Sequence, residues 1–122
     1  MSESKPKKWL TLALPILLGV YFMVAAFPKL SGDPGMVGAF AEWGYSSQFL
    51  LLIGVLEALG GILLLFPRFA FYGASMLIVV MGGAVYTHIS SGVGSPILPI
   101  VVLILLAVAA ILRKPGALGL SG

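Results

Sequence analysis

Residues 50–66 read LLLIGVLEALGGILLLF, and Glu57 is the one member of that run that is neither apolar nor Gly. The whole chain holds four Asp and Glu, so an acid set among aliphatic residues is the first place to look for chemistry. A charged residue at the centre of a membrane helix costs roughly 3 kcal/mol on insertion scales, and such residues mark binding sites, proton paths or polar contacts between helices. Gly54 and Gly61 lie on the same helical face as Glu57. Small residues let backbones approach closely, so this face is expected to pack inward and to carry the carboxyl group into a bundle.

Counting outward from the turn at Pro67-Arg68 sets Glu57 level with Ile78 and puts Ser75 one turn nearer the turn. Ser75, Val79, Gly82 and Tyr86 recur at helical spacing and predict a small, partly polar face. The same counting puts Tyr21 less than a turn from Glu57. The expected ligand site is therefore Glu57 with Tyr21 and Ser75, opening outward toward Tyr86, His88 and Lys29. Lys29 is placed more than two helical turns away, so no direct ion pair with Glu57 is expected unless a water bridges it. The plain alternative for Glu57 is a neutral carboxyl group that joins two helices through hydrogen bonds. For His88 it is an interfacial ring bonded to a carbonyl or water, against a proton relay, a donor to a quinone carbonyl or an axial ligand. Lys29 reads as a headgroup anchor or an anion contact, and Trp9, Trp43 and Tyr45 as interfacial aromatics.

The elements that must position these residues follow from composition. The 122 residues are 60% hydrophobic and 9% charged, with a mean hydropathy of +1.13, whereas a soluble domain has about 25% charged residues. Four apolar runs, at about 9–27, 48–66, 69–88 and 96–112, predict transmembrane helices. Together they make 1–122 a single membrane domain, an all-α antiparallel bundle of four transmembrane helices. A basic start and V-A-A near 24–26 mimic a signal peptide, but the apolar run is longer than a signal core and is read as a retained first helix. Pro28 is expected to stop that helix. Asp33-Pro34 reads as a helix start, and Met36, Val37, Phe40 and Trp43 then predict a short interfacial helix over about 34–43 in the first outer loop.

Six of the seven Lys and Arg lie on one side of this topology and only Lys29 on the other, which places both termini in the cytoplasm of a bacterial-type inner membrane. The basic residues sit beside apolar runs, which suits lipid headgroups and gives no nucleic-acid face. The chain has no Cys and one His. Thiolate chemistry, disulfides and a multi-His metal site built by one chain are thereby excluded, and no metal site is expected.

The motifs FPKL (27–30), WGYSSQFLLLIGVLEALGGILLLFPRFAFYGA (43–74) and MGGAVYTH (81–88) resemble the DoxX-like family of small four-helix membrane proteins. Lys29, Glu57 and His88 match the family pattern position by position, with Pro28 where relatives often carry Gly. The resemblance implies a redox-associated accessory protein, since founding members are quinone-linked subunits of thiosulfate oxidation. It supports catalysis by this chain poorly, and no residue is assigned a catalytic role. The expected cofactor is a quinone or similar amphipathic molecule bound in the bundle, and the expected partners are the lipid bilayer and other membrane protein subunits. A non-catalytic structural subunit and, less favoured, a small proton-coupled transporter are the alternatives.

Overall fold

The computed structural model describes residues 5–115. Residues 1–4 and 116–122 of the domain read from the sequence lie outside them. Among the described residues there are five helices and no strand: α1 (Lys5–Ser31), α2 (Pro34–Glu42), α3 (Ser47–Leu65), α4 (Ala70–Ser91) and α5 (Ile97–Arg113). Three of them, α1, α3 and α4, are long and apolar enough to cross a membrane, and α5 is a shorter apolar helix of 17 residues.

Local chemistry sets the ends of these helices. Asp33 Oδ2 accepts from the N–H groups of Gly35 and Met36, with Pro34 in the first turn of α2, so donors that the helix cannot satisfy internally are capped. Ser46 Oγ accepts from the Phe49 N–H at the start of α3. Gly92, with φ of 71°, ends α4 in the left-handed conformation that glycine adopts without strain.

One boundary departs from expectation. Pro28 does not stop α1; the helix runs through both Pro15 and Pro28 to Ser31. A proline inside a helix forfeits one backbone hydrogen bond and crowds the preceding turn. At Pro28 this happens in the last turn, and the Asp33 N–H donates to the Pro28 carbonyl at 2.9 Å, tying the chain beyond the helix back onto its end. Lys29 therefore stays on a helical face instead of swinging into a loop.

The helices pack as α1 on α3, α3 on α4 and α4 on α5, with a thinner contact between α1 and α5. Leu14, Leu18 and Phe22 of α1 join Leu64 of α3, Ala74, Leu77 and Met81 of α4, and Leu106 and Ala109 of α5 in one buried core. Most other large apolar side chains, Leu17, Val24, Phe27, Ile104 and Ile111 among them, lie on the outside. Lipid tails are as apolar as leucine, so burying such groups gives little net drive in a bilayer and close fit must supply it. Glycines provide that fit. A Cβ on Gly73 would come within 2.7 Å of the Gly60 carbonyl oxygen, and one on Gly19 within 2.8 Å of the Gly61 carbonyl oxygen.

Candidate functional site

Two glycine contacts fix the height of Glu57. Gly54 packs against Lys29 and Leu30, and Gly61 packs against Gly19 and Phe22. Glu57, between them on α3, therefore stands opposite the stretch around Ala26 of α1. Tyr21, expected within a turn of Glu57, lies more than a helical turn from it along α1.

That register carries a second correction. Lys29 Nζ lies 2.9 Å from Glu57 Oε1, a direct contact where none was expected. Lys29 is only about one turn from the level of Glu57, and its side chain folds back along α1, donating to the Ala25 carbonyl at 3.3 Å. Helical side chains lean toward the N-terminus of their own helix, which turns this lysine inward. Glu57 is 3% exposed. Its Oε1 is buried and faces the Lys29 ammonium, so the two charges pair directly.

The pair faces a cavity of about 530 Å³ between the helices, to which all five contribute lining residues. Tyr21, Phe22, Ala25 and Lys29 come from α1, and Ile53, Leu56 and Glu57 from α3. Val80, Ala84, Thr87 and His88 come from α4, while α5 and its approach supply Leu98, Pro99 and Ser95. Ligand pockets commonly span about 300–1,000 Å³ with apolar walls and a few placed polar groups, and this cavity has that character.

Aromatic residues gather at the far end. Trp43 Nε1 donates to the Val93 carbonyl at 3.2 Å, and its ring meets His88 edge-on at 4.9 Å. The Tyr45 and Thr87 hydroxyls are 2.7 Å apart. Phe40 of α2 stands against Trp43, Tyr45 and Phe49. His88 Nδ1 donates to the Ala84 carbonyl at 2.7 Å, the carbonyl bond of the plain reading, yet the ring also lines the cavity.

Of the six expected site residues, the cavity brings together Tyr21, Lys29, Glu57 and His88. Ser75 and Tyr86 are not among its lining residues. The Ser75 hydroxyl donates to the Phe71 carbonyl on its own helix at 2.8 Å, and Tyr86 is 70% exposed. Of the stripe they share with Val79 and Gly82, Val79 borders the cavity, while Gly73, Ala74, Leu77 and Met81 occupy the packed face of α4.

Trp43, Tyr45 and Thr87 were missed as lining residues. Two aromatics bracketing Gly44, in a linker of a few residues between α2 and α3, were a usable signal. A partly buried indole N–H or phenol seeks a hydrogen-bond partner, and so short a linker keeps both rings on the bundle.

A model of the DoxX-like family matches residues 13–110. No curated protein and no solved structure matches the chain.

Proposed function

The chain belongs to the DoxX-like family of membrane proteins, and from that premise we propose that it binds a quinone or similar amphipathic molecule in the cavity beside Glu57, as a redox-associated accessory protein. The observation that carries this reading is the cavity itself. An apolar space of about 530 Å³ has a lysine–glutamate pair toward one end and an imidazole beside a hydroxyl pair at the other. An amphipathic ring with oxygen substituents suits such a space, since its faces meet aliphatic and aromatic walls while its oxygens meet polar groups. Tyr21, Lys29, Glu57 and His88 are the residues proposed to hold it.

In this reading α5 is the fourth crossing, at roughly 26 Å of helix, and the four long helices form an antiparallel bundle with both termini in the cytoplasm of a bacterial-type inner membrane. The clustering of basic residues at Lys5, Lys7, Lys8, Arg68, Arg113 and Lys114 supports that orientation.

The test is mass spectrometry of the protein extracted together with its native lipid. A stoichiometric quinone is expected in the wild type and a clear loss in Glu57→Gln. Finding no quinone, and no difference between the two proteins, overturns the reading.

One observation favours a second reading, a structural subunit of a larger membrane complex. Tyr86, 70% exposed, follows Gly82 by about one turn on α4, and a Cβ on Gly82 would meet nothing within 4 Å. Small residues on an open helical face suit a neighbouring helix. Native mass spectrometry after gentle extraction would show a discrete partner complex, and a lone monomer would remove this alternative.

A further inference from the structure

The cavity reaches the outside of the bundle sideways. Near the turn that joins them, α3 and α4 are clamped together, since a Cβ on Gly60 would collide with Leu77 and one on Gly73 with the Gly60 carbonyl oxygen. Farther from the turn the same two helices stand apart. Gly83 of α4 lines the cavity and is exposed, and a Cβ added there would meet nothing within 4 Å. Val79, one turn away on the same side, is 75% exposed and also borders the cavity. Ile53 and Leu56 line it from α3. A residue that belongs to the cavity wall and is also open to the surroundings marks an opening, so a window lies between α3 and α4.

The window is bounded at both ends. The Gly60–Leu77 contact limits it on the side of the turn, and the 2.7 Å contact between the Tyr45 and Thr87 hydroxyls spans the seam at the other. From Leu77 to Thr87 is about 15 Å of helix. The packing of Gly60 on Leu77 also sets Glu57 level with Val80, so the window stands at the height of the Lys29–Glu57 pair. Tyr21 of α1 and Leu98 of α5 likewise combine exposure with a place on the cavity wall. Both are bulky, whereas the rim between α3 and α4 offers a glycine.

Midway along a membrane-spanning helix, such a window faces acyl chains. An apolar chain gains little by leaving lipid for protein, because lipid tails are as apolar as leucine. A polar head at that depth gains a great deal, since it finds hydrogen-bonding partners only inside. We infer that the ligand of this cavity is a tailed amphipath whose head enters from the bilayer through the α3–α4 window and whose apolar chain stays threaded between the two helices into the lipid. Gly83 is the residue that keeps this passage open. The inference rests on the proposed reading of the cavity as the site of an amphipathic molecule.

The experiment uses the full-length protein in nanodiscs, in a Trp9→Phe background, so that quenching of Trp43 on the cavity wall reports a bound quinone. Decylubiquinone is compared with ubiquinone-0, which lacks the alkyl tail. Gly83→Phe is expected to weaken decylubiquinone binding by roughly tenfold or more and ubiquinone-0 binding by less than about threefold. Gly82→Phe adds the same bulk at a neighbouring position that does not line the cavity, and should change neither. Three results overturn the inference and leave the cavity reading standing: equal weakening of both probes in Gly83→Phe, unchanged decylubiquinone binding in that variant, or equal losses in the two Phe variants. Binding of ubiquinone-0 alone by the wild type overturns it as well. Binding of decylubiquinone alone supports it when only Gly83→Phe weakens that binding. If the wild type binds neither quinone, the cavity reading fails and this inference fails with it.

Discussion

Lys29 Nζ stands 2.9 Å from Glu57 Oε1 although α2 and both of its flanking turns separate the two residues in the chain. The contact ties α1 to α3 at the height where Gly54 lets the Lys29 and Leu30 side chains approach closely. Each charge makes the other tolerable in a place where either alone would be expensive.

Removing one member should therefore hurt more than removing both. Lys29→Met or Glu57→Leu leaves an uncompensated buried charge and is expected to destabilise the fold by about 3–5 kcal/mol, while the double variant should recover most of that loss. Reversible unfolding in mixed micelles, followed by circular dichroism, measures all three. Additive losses in the double variant would show that the two residues act independently.

The glycines should separate into two classes. In Gly73→Ala the new methyl group meets the Gly60 carbonyl oxygen at 2.7 Å and the Leu64 backbone nitrogen at 2.9 Å, neither of which can rotate away. A loss of about 1–3 kcal/mol is expected from the forced separation of α3 and α4. Gly82→Ala places its methyl group in open space and should be neutral or slightly stabilising, since alanine is the better helix former. Thermal unfolding in detergent would rank the pair, and equal effects would contradict the observed packing.

The aromatic cluster makes a prediction about local opening. Trp43→Phe keeps a ring against His88 but loses the bond to Val93, and Tyr45→Phe loses the bond to Thr87. Each loss is worth about 0.5–1.5 kcal/mol. Because α2 packs on α1 and α3 along short stretches, hydrogen exchange of its amides should quicken in both variants. The amides of α3 around Glu57 should hold their protection.

Orientation can be read directly, because the chain has no cysteine of its own. Ser2→Cys is expected to resist a membrane-impermeant maleimide added to intact cells, and Ser90→Cys, near the opposite end of α4, to react. The reverse pattern would invert the proposed topology, and equal labelling of both would indicate dual insertion.

How much of this was legible depended on whether a residue's role was local. The helical nature of each segment followed from apolar runs and end signals within a few residues, as with Asp33-Pro34 before α2 and Ser46 before α3. Pro28 misled because a proline reads locally as a stop, whereas in the last turn of α1 its forfeited bond is tolerated and the Asp33 N–H secures the end. Ser75 and Tyr86 misled for a related reason. Their spacing defines a face, but helical periodicity cannot say which neighbour, if any, that face meets.

By itself the sequence determined the class of protein, the helical segments and the inward aim of Glu57, since a carboxylate facing lipid is expensive and glycines on the same face let a neighbouring helix approach closely. Only the tertiary structure decided the partners. The register of α1 on α3 is set by interlocking glycine contacts across a connection containing a helix of its own, so no count along the chain reaches it. That register brought Lys29 to Glu57. The packing of α2 onto the bundle likewise carried Trp43 to His88, because an indole N–H closes on whichever carbonyl the assembled fold puts within reach.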